Sequence, residues 1–522
     1  MEDTRIVAKE ADGQALMRER TRDFANTGLD PKVALDAIFR RNVLMQPGAL
    51  ALADPADRAT FTDGLPRRLN YAEADLAVNR LVAALKSLGL AEGSAVALQL
   101  PNTVEAVLSL LAVLRAGLVA VPVPLLWRRA DLVAALREIN AHAIITMVRI
   151  GDERPAEIAC EAAADLFSLG FPCAFGHSVP DGVIPLDFDA NSHAQKQDAA
   201  SVRIPVTESI AAATFDASRS GAFAVGRTHA QWIAAGLAVM LEARIAPGET
   251  LVSTLPPASL AGMATGFLPW LLSGGTLSLV HGYSPLAVAQ AANSGAHLVA
   301  PASVLLPLSE AGGGSFASSI AVHRGPQSLG VDLSEARCEA IVDIQSFGEI
   351  GLAALRRIAK IMPSPIPIGE ITAPADAPGG PVAIETKRLA DGTLAVRGAM
   401  VPDKAYPGAA RAGAGRIEFD LDGFVRTNLR CHAIGSSGLV IEALPDGIVA
   451  IGGLRYGVDD LAMRIAKASP GAALATERDP LVGARLAIES NDPPAARKML
   501  DEAGQSRLIF ESARARAVRR AG

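Results

Sequence analysis

Between residues 70 and 148 helix-period and strand-period segments alternate at short intervals, and few architectures accommodate that. In "NYAEADLAVNRLVAALKSLGL" Val78, Leu81, Val82, Leu85 and Leu88 recur at helical spacing, and Gly89 suits a helix C-terminus. "SAVALQL" then reads as a short apolar strand closed by Pro101. Glu105 to Arg115 is a second helix stopped by Gly117, and "LVAVPV" a second buried strand. "DLVAALREINAHAIITMV" repeats the unit, with a helix from Asp131 and a strand at Ala143 to Val148. Strands separated by single helices lie parallel with the helices on their faces, so the pattern predicts a doubly wound α/β layer.

The chain has 522 residues, too many for one ordinary domain. Residues 151 to 205 read as irregular and polar. The α/β pattern returns near Thr207, and "TLSLV" at 276–280 is a further buried strand. After about Gly380, "PVAIETKRLADGTLAVRGAMV" and "GRIEFDLDGFVRTN" alternate apolar and polar residues around Asp-Gly turns, which predicts hairpins or a small barrel. From about Cys431 a shorter α+β segment closes the chain and ends in the basic, helix-like "SARARAVRRAG". The expected class is α/β: an N-terminal body of flanked sheets plus a small β-barrel over residues 1–430, and a smaller α+β domain over 431–522.

Composition excludes some functions. A net charge of −6 and 4% aromatic residues argue against a nucleic-acid surface. Two apolar stretches, Ala106 to Trp127 and "PPASLAGMATGFLPWLLSGGTLSLV", are broken by Pro and Gly, so neither reads as a membrane span. Cys160, Cys173, Cys338 and Cys431 form no CxxC pair, which favours free thiols over a metal site. The N-terminus lacks an apolar signal region, and the expected compartment is the cytoplasm.

The segment "ATFDASRSGAFAVGRTHAQ" has the outline of a phosphate-holding loop, with small residues at Ala217, Ser218, Ser220 and Gly221. Such a loop normally offers backbone N–H groups, hydroxyls and a lysine, yet no lysine lies between Thr214 and His229.

The ordered segments resemble the adenylate-forming (AMP-binding) superfamily of acyl-CoA synthetases, aryl-CoA ligases and fatty-acyl-AMP ligases. "ALQLPNTVEAVLSLLAVLRAG" is similar to that family's "LLPNS-E" segment, "LPPASLAGM" to "LP-FH-AG", "QSFGEIGL" to "YG-TEIG", "GTLAVRG" to "GEL-VRG" and "DGFVRTN" to "DGW-RTGD". The resemblance runs in order over about four-fifths of the chain. It implies the acyl-CoA synthetase-like fold and the use of ATP and Mg2+ to turn a carboxylic acid, fatty or aryl, into an acyl-adenylate. The thiol acceptor would be CoA or the phosphopantetheine of an acyl carrier protein, with neither nucleic acid nor an integral membrane segment involved.

The resemblance also implies site residues. The family loop "TSGTTG-PKG" aligns on "DASRSGAFAV", so Ser218, Ser220 and Gly221 would hold phosphate, Arg219 would supply charge, and Ala224 or a neighbour falls on the lysine. Residues 215 to 222 are expected to form a loop at the mouth of a cleft, faced by Glu349 as the catalytic, metal-holding acid. A helix opening at Glu349 would explain that acid without a metal. Asn428 takes the place of the ribose-binding aspartate, and Ser259 and Gly262 fall in the acyl-site motif, Ser259 in place of histidine. No Gly-Lys pair occurs in the C-terminal segment. Two functions therefore stay open: an acid–thiol ligase working on Arg219 and Glu349, or a catalytically impaired relative that binds an acyl ligand, a nucleotide or a partner protein.

Overall fold

The structure, a computed structural model, describes residues 33–188, 209–326, 331–375, 380–407, 417–479, 481–510 and 512–515. Among these, two large sheets and one smaller sheet make the body. The first sheet has seven strands in the order Ile184–Leu186, Phe171–Phe175, Ala143–Met147, Ala95–Leu98, Val119–Pro122, Ile210–Ser218 and Gly221–Thr228. All its neighbours are parallel except the last pair, which is an antiparallel hairpin. The second has eight strands, from Leu352–Arg356 and Cys338–Ser346 at one edge to Leu50–Ala53 and Arg68–Asn70 at the other. Its interior is parallel and both edge pairs are antiparallel. Six antiparallel strands between Ile366 and Ala443 form the third.

Two helices fill the space within the body. In Val104–Arg115 every residue from Val104 to Leu114 is buried, as expected of a helix that is apolar on all sides. His229–Glu242 leads straight out of the hairpin, and its N-terminus is fixed by a capping box: Thr228 accepts the Gln231 N–H, and the Gln231 side chain accepts the Thr228 N–H. Both helices share one continuous apolar core with strands of the two large sheets.

The C-terminal residues have a core of their own, built from Val449, Ile451, Tyr456, Leu461, Ile465, Leu486, Ile488 and Leu500. Its elements are the hairpin Ile448–Ile451/Leu454–Gly457, the helices Val458–Ala468 and Pro493–Glu502, and a three-stranded sheet. No helix among the described residues is long and apolar enough to cross a membrane. All four cysteines are free.

Three segments differ from expectation. The stretch after residue 151 contains the helix Pro155–Asp165 and two strands, while its part from 189 to 208 lies outside the described residues. That helix buries Ala156, Ala159 and Ala162, and a face made of alanines gives a weak periodic signal. "LAALR" after Glu349 is an edge strand rather than a helix, a case in which a short apolar run carries no decisive period. Ser512–Ala515 is a strand parallel to Gly483–Ser490, and residues 516–522 lie outside the described set.

Candidate functional site

Both large sheets and the C-terminal hairpin meet at one narrow cleft. Phe215 and Asp216 line it from the hairpin of the seven-stranded sheet, and Gly348 and Glu349 from the turn after Cys338–Ser346. Arg324 follows the strand Phe316–His323, Ser259 lies before a short helix, and Gly453 to Arg455 come from the C-terminal hairpin. Its enclosed space is small, about 20 Å3. A roomier cavity of about 320 Å3 lies beside the buried ion pairs of Arg58 with Asp54 and Glu105, and none of the candidate residues lines it.

The hairpin is tighter than the expected loop. Strand pairing continues through Asp216↔Phe223 and Ala217↔Ala222 to Ser218↔Gly221, leaving a two-residue turn, Arg219–Ser220. Ser218 Oγ donates to the Gly221 carbonyl at 3.0 Å and lies 3.2 Å from Ser220 Oγ, so these hydroxyls brace the turn itself. Gly221 has φ +132°, a conformation that favours glycine. Residues 215–218 and 221–222 are therefore strand, and much of the backbone that would cradle a phosphate is used in the ladder.

Arg219 does not turn to the cleft. Its guanidinium meets Asp459 of the C-terminal helix at 2.9 Å, with both side chains more than half exposed. Its carbonyl accepts the Asp460 N–H at 3.1 Å. Ala224, the residue on the lysine position, is buried in an apolar cluster with Ala213, Val121 and Leu136. No side chain from this hairpin brings positive charge to the cleft.

Glu349 does face the hairpin. Its N–H donates to Asp216 Oδ2 at 2.8 Å, and its carboxylate accepts the Leu260 N–H at 2.5 Å. Burial, and next the nearby Asp216 carboxylate, push its pKa up. Arg227, fully buried, donates to the Glu349 and Ile350 carbonyls and to Met400 O, bracing this turn from behind, and burial lowers its pKa to about 10. Gly348, at φ +65°, is required: a Cβ there would overlap Asp216 Oδ2 and Arg455 Nη1.

Ser259 lines the cleft, accepts the Gly262 N–H at 3.1 Å and also receives the Arg324 guanidinium. Gly262 is buried against Pro256, where a Cβ would overlap the Pro256 carbonyl, and it is not a lining residue. Asn428 is exposed on the strand Val425–Ile434 in a left-handed conformation, also away from the lining. The structure thus brings Ser259, Glu349 and the hairpin together and leaves Gly262 and Asn428 apart.

Sequence reasoning missed Asp216, Arg324 and Arg455. Asp216 was legible: it is the first residue of the aligned loop, where the family template has threonine. Arg324 sits in a segment with no motif, Arg455 sits in "GGLRYGVDDL", which resembles the family's hinge segment, and only folding gathers them at the cleft.

ATP and Mg2+, implied by the fold, can be tested against these donors. A triphosphate here would meet the Asp216 and Glu349 carboxylates, while the nearest cations, Arg324 and Arg455, already have partners. For a metal, the Glu349 carboxylate is already engaged by the Leu260 N–H, and the Asp216 carboxylate by the Ala217 and Glu349 N–H groups. The residues present do not fit the nucleotide–metal pair, and no chemical step is derived through it.

Comparison with known proteins gives a likeness over part of the chain and a shared fold over nearly all of it. Residues 39–208 match the AMP-binding enzyme family. The salicyl-AMP ligase / salicyl-S-ArCP synthetase of Mycobacterium tuberculosis is 34% identical over 151 residues, 28% of this chain and 25% of that protein. The glycine betaine reductase ATRR of Emericella nidulans is 31% identical over 163 residues, 31% of this chain and 12% of that protein. The chain thus spans a quarter or less of these curated relatives. Structures agree over a longer stretch. Mycobacterium smegmatis MbtA, in its apo form, superposes with TM-score 0.63 at 18% identity, covering 96% of this chain and 94% of that one. The artificially fused adenylation–PCP di-domain NpsA-ThdA from Klebsiella oxytoca gives TM-score 0.67 at 16% identity over 92% and 93%. The sequence match stops at 208, so the hairpin and Glu349 lie beyond it. Residues 39–208 thus carry the likeness to the AMP-binding enzyme family, and along nearly its whole length the chain shares its fold with MbtA and NpsA-ThdA.

Proposed function

We propose that this chain is a binding member of the adenylate-forming superfamily, one that holds a carboxylic acid and has lost most of its ATP-dependent activation. The observation that carries this reading is the hairpin: its turn is closed on itself, the arginine of that turn, Arg219, is spent on Asp459, and its lysine position is an alanine packed in the core. Forming an acyl-adenylate brings a carboxylate to a triphosphate, and the barrier falls only if positive charge meets the phosphates. Loss of one such group costs roughly a hundredfold or more in rate. An aryl acid is favoured as ligand over a fatty acid by the name of the mycobacterial relative, and the same name together with the Klebsiella di-domain favours a carrier protein as partner.

The test is ATP–pyrophosphate exchange by the full chain across short, long and aromatic acids, with calorimetry of Mg-ATP beside it. The expected result is acid binding without exchange above background. Acid-dependent exchange with tight Mg-ATP binding would overturn the reading. A second reading, a working acid–thiol ligase, draws on one observation: the guanidinium groups of Arg324 and Arg455 do line the cleft, and charge from outside the hairpin would serve.

A further inference from the structure

Asp216 is 6% exposed, stands in the cleft wall and gathers donors from three parts of the chain. Oδ1 accepts the Ala217 N–H at 2.8 Å, and Oδ2 accepts the Glu349 N–H at 2.8 Å. Arg455 Nη1 of the C-terminal hairpin lies 3.5 Å from Oδ1. Two backbone N–H groups and a guanidinium converging on one point are the donor set by which proteins hold oxyanions. Here that set is filled by a residue of the chain itself. Gly348 leaves the space the carboxylate occupies, since any Cβ there would collide with Asp216 and Arg455.

We propose that Asp216 is the specificity-determining residue of this cleft: a resident carboxylate that takes the anion site and excludes phosphate, so that its removal uncovers a site for a phosphate-class oxyanion. This deepens the non-adenylating reading and rests on it. The competition is direct, because an incoming phosphate needs the Ala217 and Glu349 N–H groups and Arg455, and would also meet the Asp216 charge at close range. With Asp216 gone, Arg455 loses its carboxylate partner and faces the vacated position.

The probes are inorganic phosphate and Mg-ATP, read by calorimetry and by ligand-induced shift of the melting temperature. The proteins are the full-length wild type, Asp216→Ala, Asp216→Asn and the double variant Asp216→Ala with Arg455→Met. Phosphate affinity should rise on the order of tenfold or more in Asp216→Ala and fall back in the double variant. If Asp216→Ala fails to fold, Asp216→Asn decides. It keeps an acceptor for the backbone donors and drops the charge, so phosphate should stabilise it more than wild type. A folded Asp216→Ala that binds phosphate no better than wild type, or a folded Asp216→Asn that gains nothing when the alanine form is lost, overturns the inference and leaves the non-adenylating reading in place. Tight Mg-ATP binding by wild type, equal to that of the variants and accompanied by acid-dependent exchange, would overturn both. Binding that persists in the double variant places the anion elsewhere and overturns the proposed site.

Discussion

His229 opens the helix His229–Glu242 with its ring buried, and Nδ1 accepts the Leu35 N–H at 3.2 Å. The ring must therefore be neutral, and burial lowers its pKa to about 4 from an ordinary 6.5. The sign follows from proton counting: between those values the unfolded chain binds a proton that the folded chain refuses. Stability from this group is complete above about pH 6.5 and is lost as pH falls toward 4, on the order of 2–3 kcal/mol in all. Melting curves from pH 7 to pH 4 should show this decline, and His229→Gln should flatten it. Ala224 makes a second case. Sequence alignment invites Ala224→Lys as a way to restore phosphate binding, but the site is apolar and 3% exposed. That substitution should cost roughly 3 kcal/mol by urea unfolding and leave Mg-ATP affinity unchanged. Alignment identified the residue; only the structure shows that its side chain packs among Ala213, Val121 and Leu136, where an ammonium would be buried without a partner.

Among the elements, those legible in the sequence were long and periodic. The helices Tyr71–Ser87 and Val104–Arg115 and the strands Ala95–Leu98 and Val119–Pro122 stand where apolar spacing predicts them. Within the hairpin Ile210–Ser218/Gly221–Thr228, the small residues of 215 to 222 match a loop motif and lead the sequence to predict a loop there. Strand pairing prevails there, since Ala217 and Ser218 extend without strain and each further pair adds to the ladder. The capping box that follows fixes where this hairpin ends and the helix begins. Thr228→Ala should cost about 1 kcal/mol, visible as a shift in the urea midpoint with unchanged slope. The candidate site was less legible than the fold. Glu349 could be found from its motif, whereas Arg324 and Arg455 lie 131 residues apart by their numbers and meet only through the tertiary fold.

At the scale of the molecule, charges stitch the C-terminal elements to the body. Arg464 donates to Asp131 at 2.7 Å in a largely buried pair, Arg128 meets Asp501 at 2.5 Å, and Arg507 meets Glu153 at 2.9 Å. The exposed pairs contribute about 0–1 kcal/mol each. The Asp131 pair differs, because removing its cation strands a buried carboxylate, at a cost of roughly 3 kcal/mol. Arg464→Met should therefore speed hydrogen exchange in Val458–Ala468 and sensitise the C-terminal residues to protease. The two large sheets, which do not depend on this contact, should keep their protection. The strands Val425–Ile434 and Gly438–Ala443 belong to the third sheet of the body, so the boundary lies later than residue 430. We infer that residues from about 448 on, which have their own core, act as a separable unit, which this comparison of exchange rates would check.

Because Arg455 and Gly453 belong to that unit and also line the cleft, its docking and the filling of the cleft are one equilibrium seen from two sides. A ligand that must draw Arg455 off Asp216 has to work against the seam, and its measured affinity is lowered by whatever the seam contributes. Reciprocity then fixes the converse: a ligand that prefers the loosened state will itself unfasten the C-terminal residues, by the same factor. Slackening the seam at Arg464, which does not itself line the cleft, should tighten such a ligand and leave untouched one that accepts Arg455 where it stands.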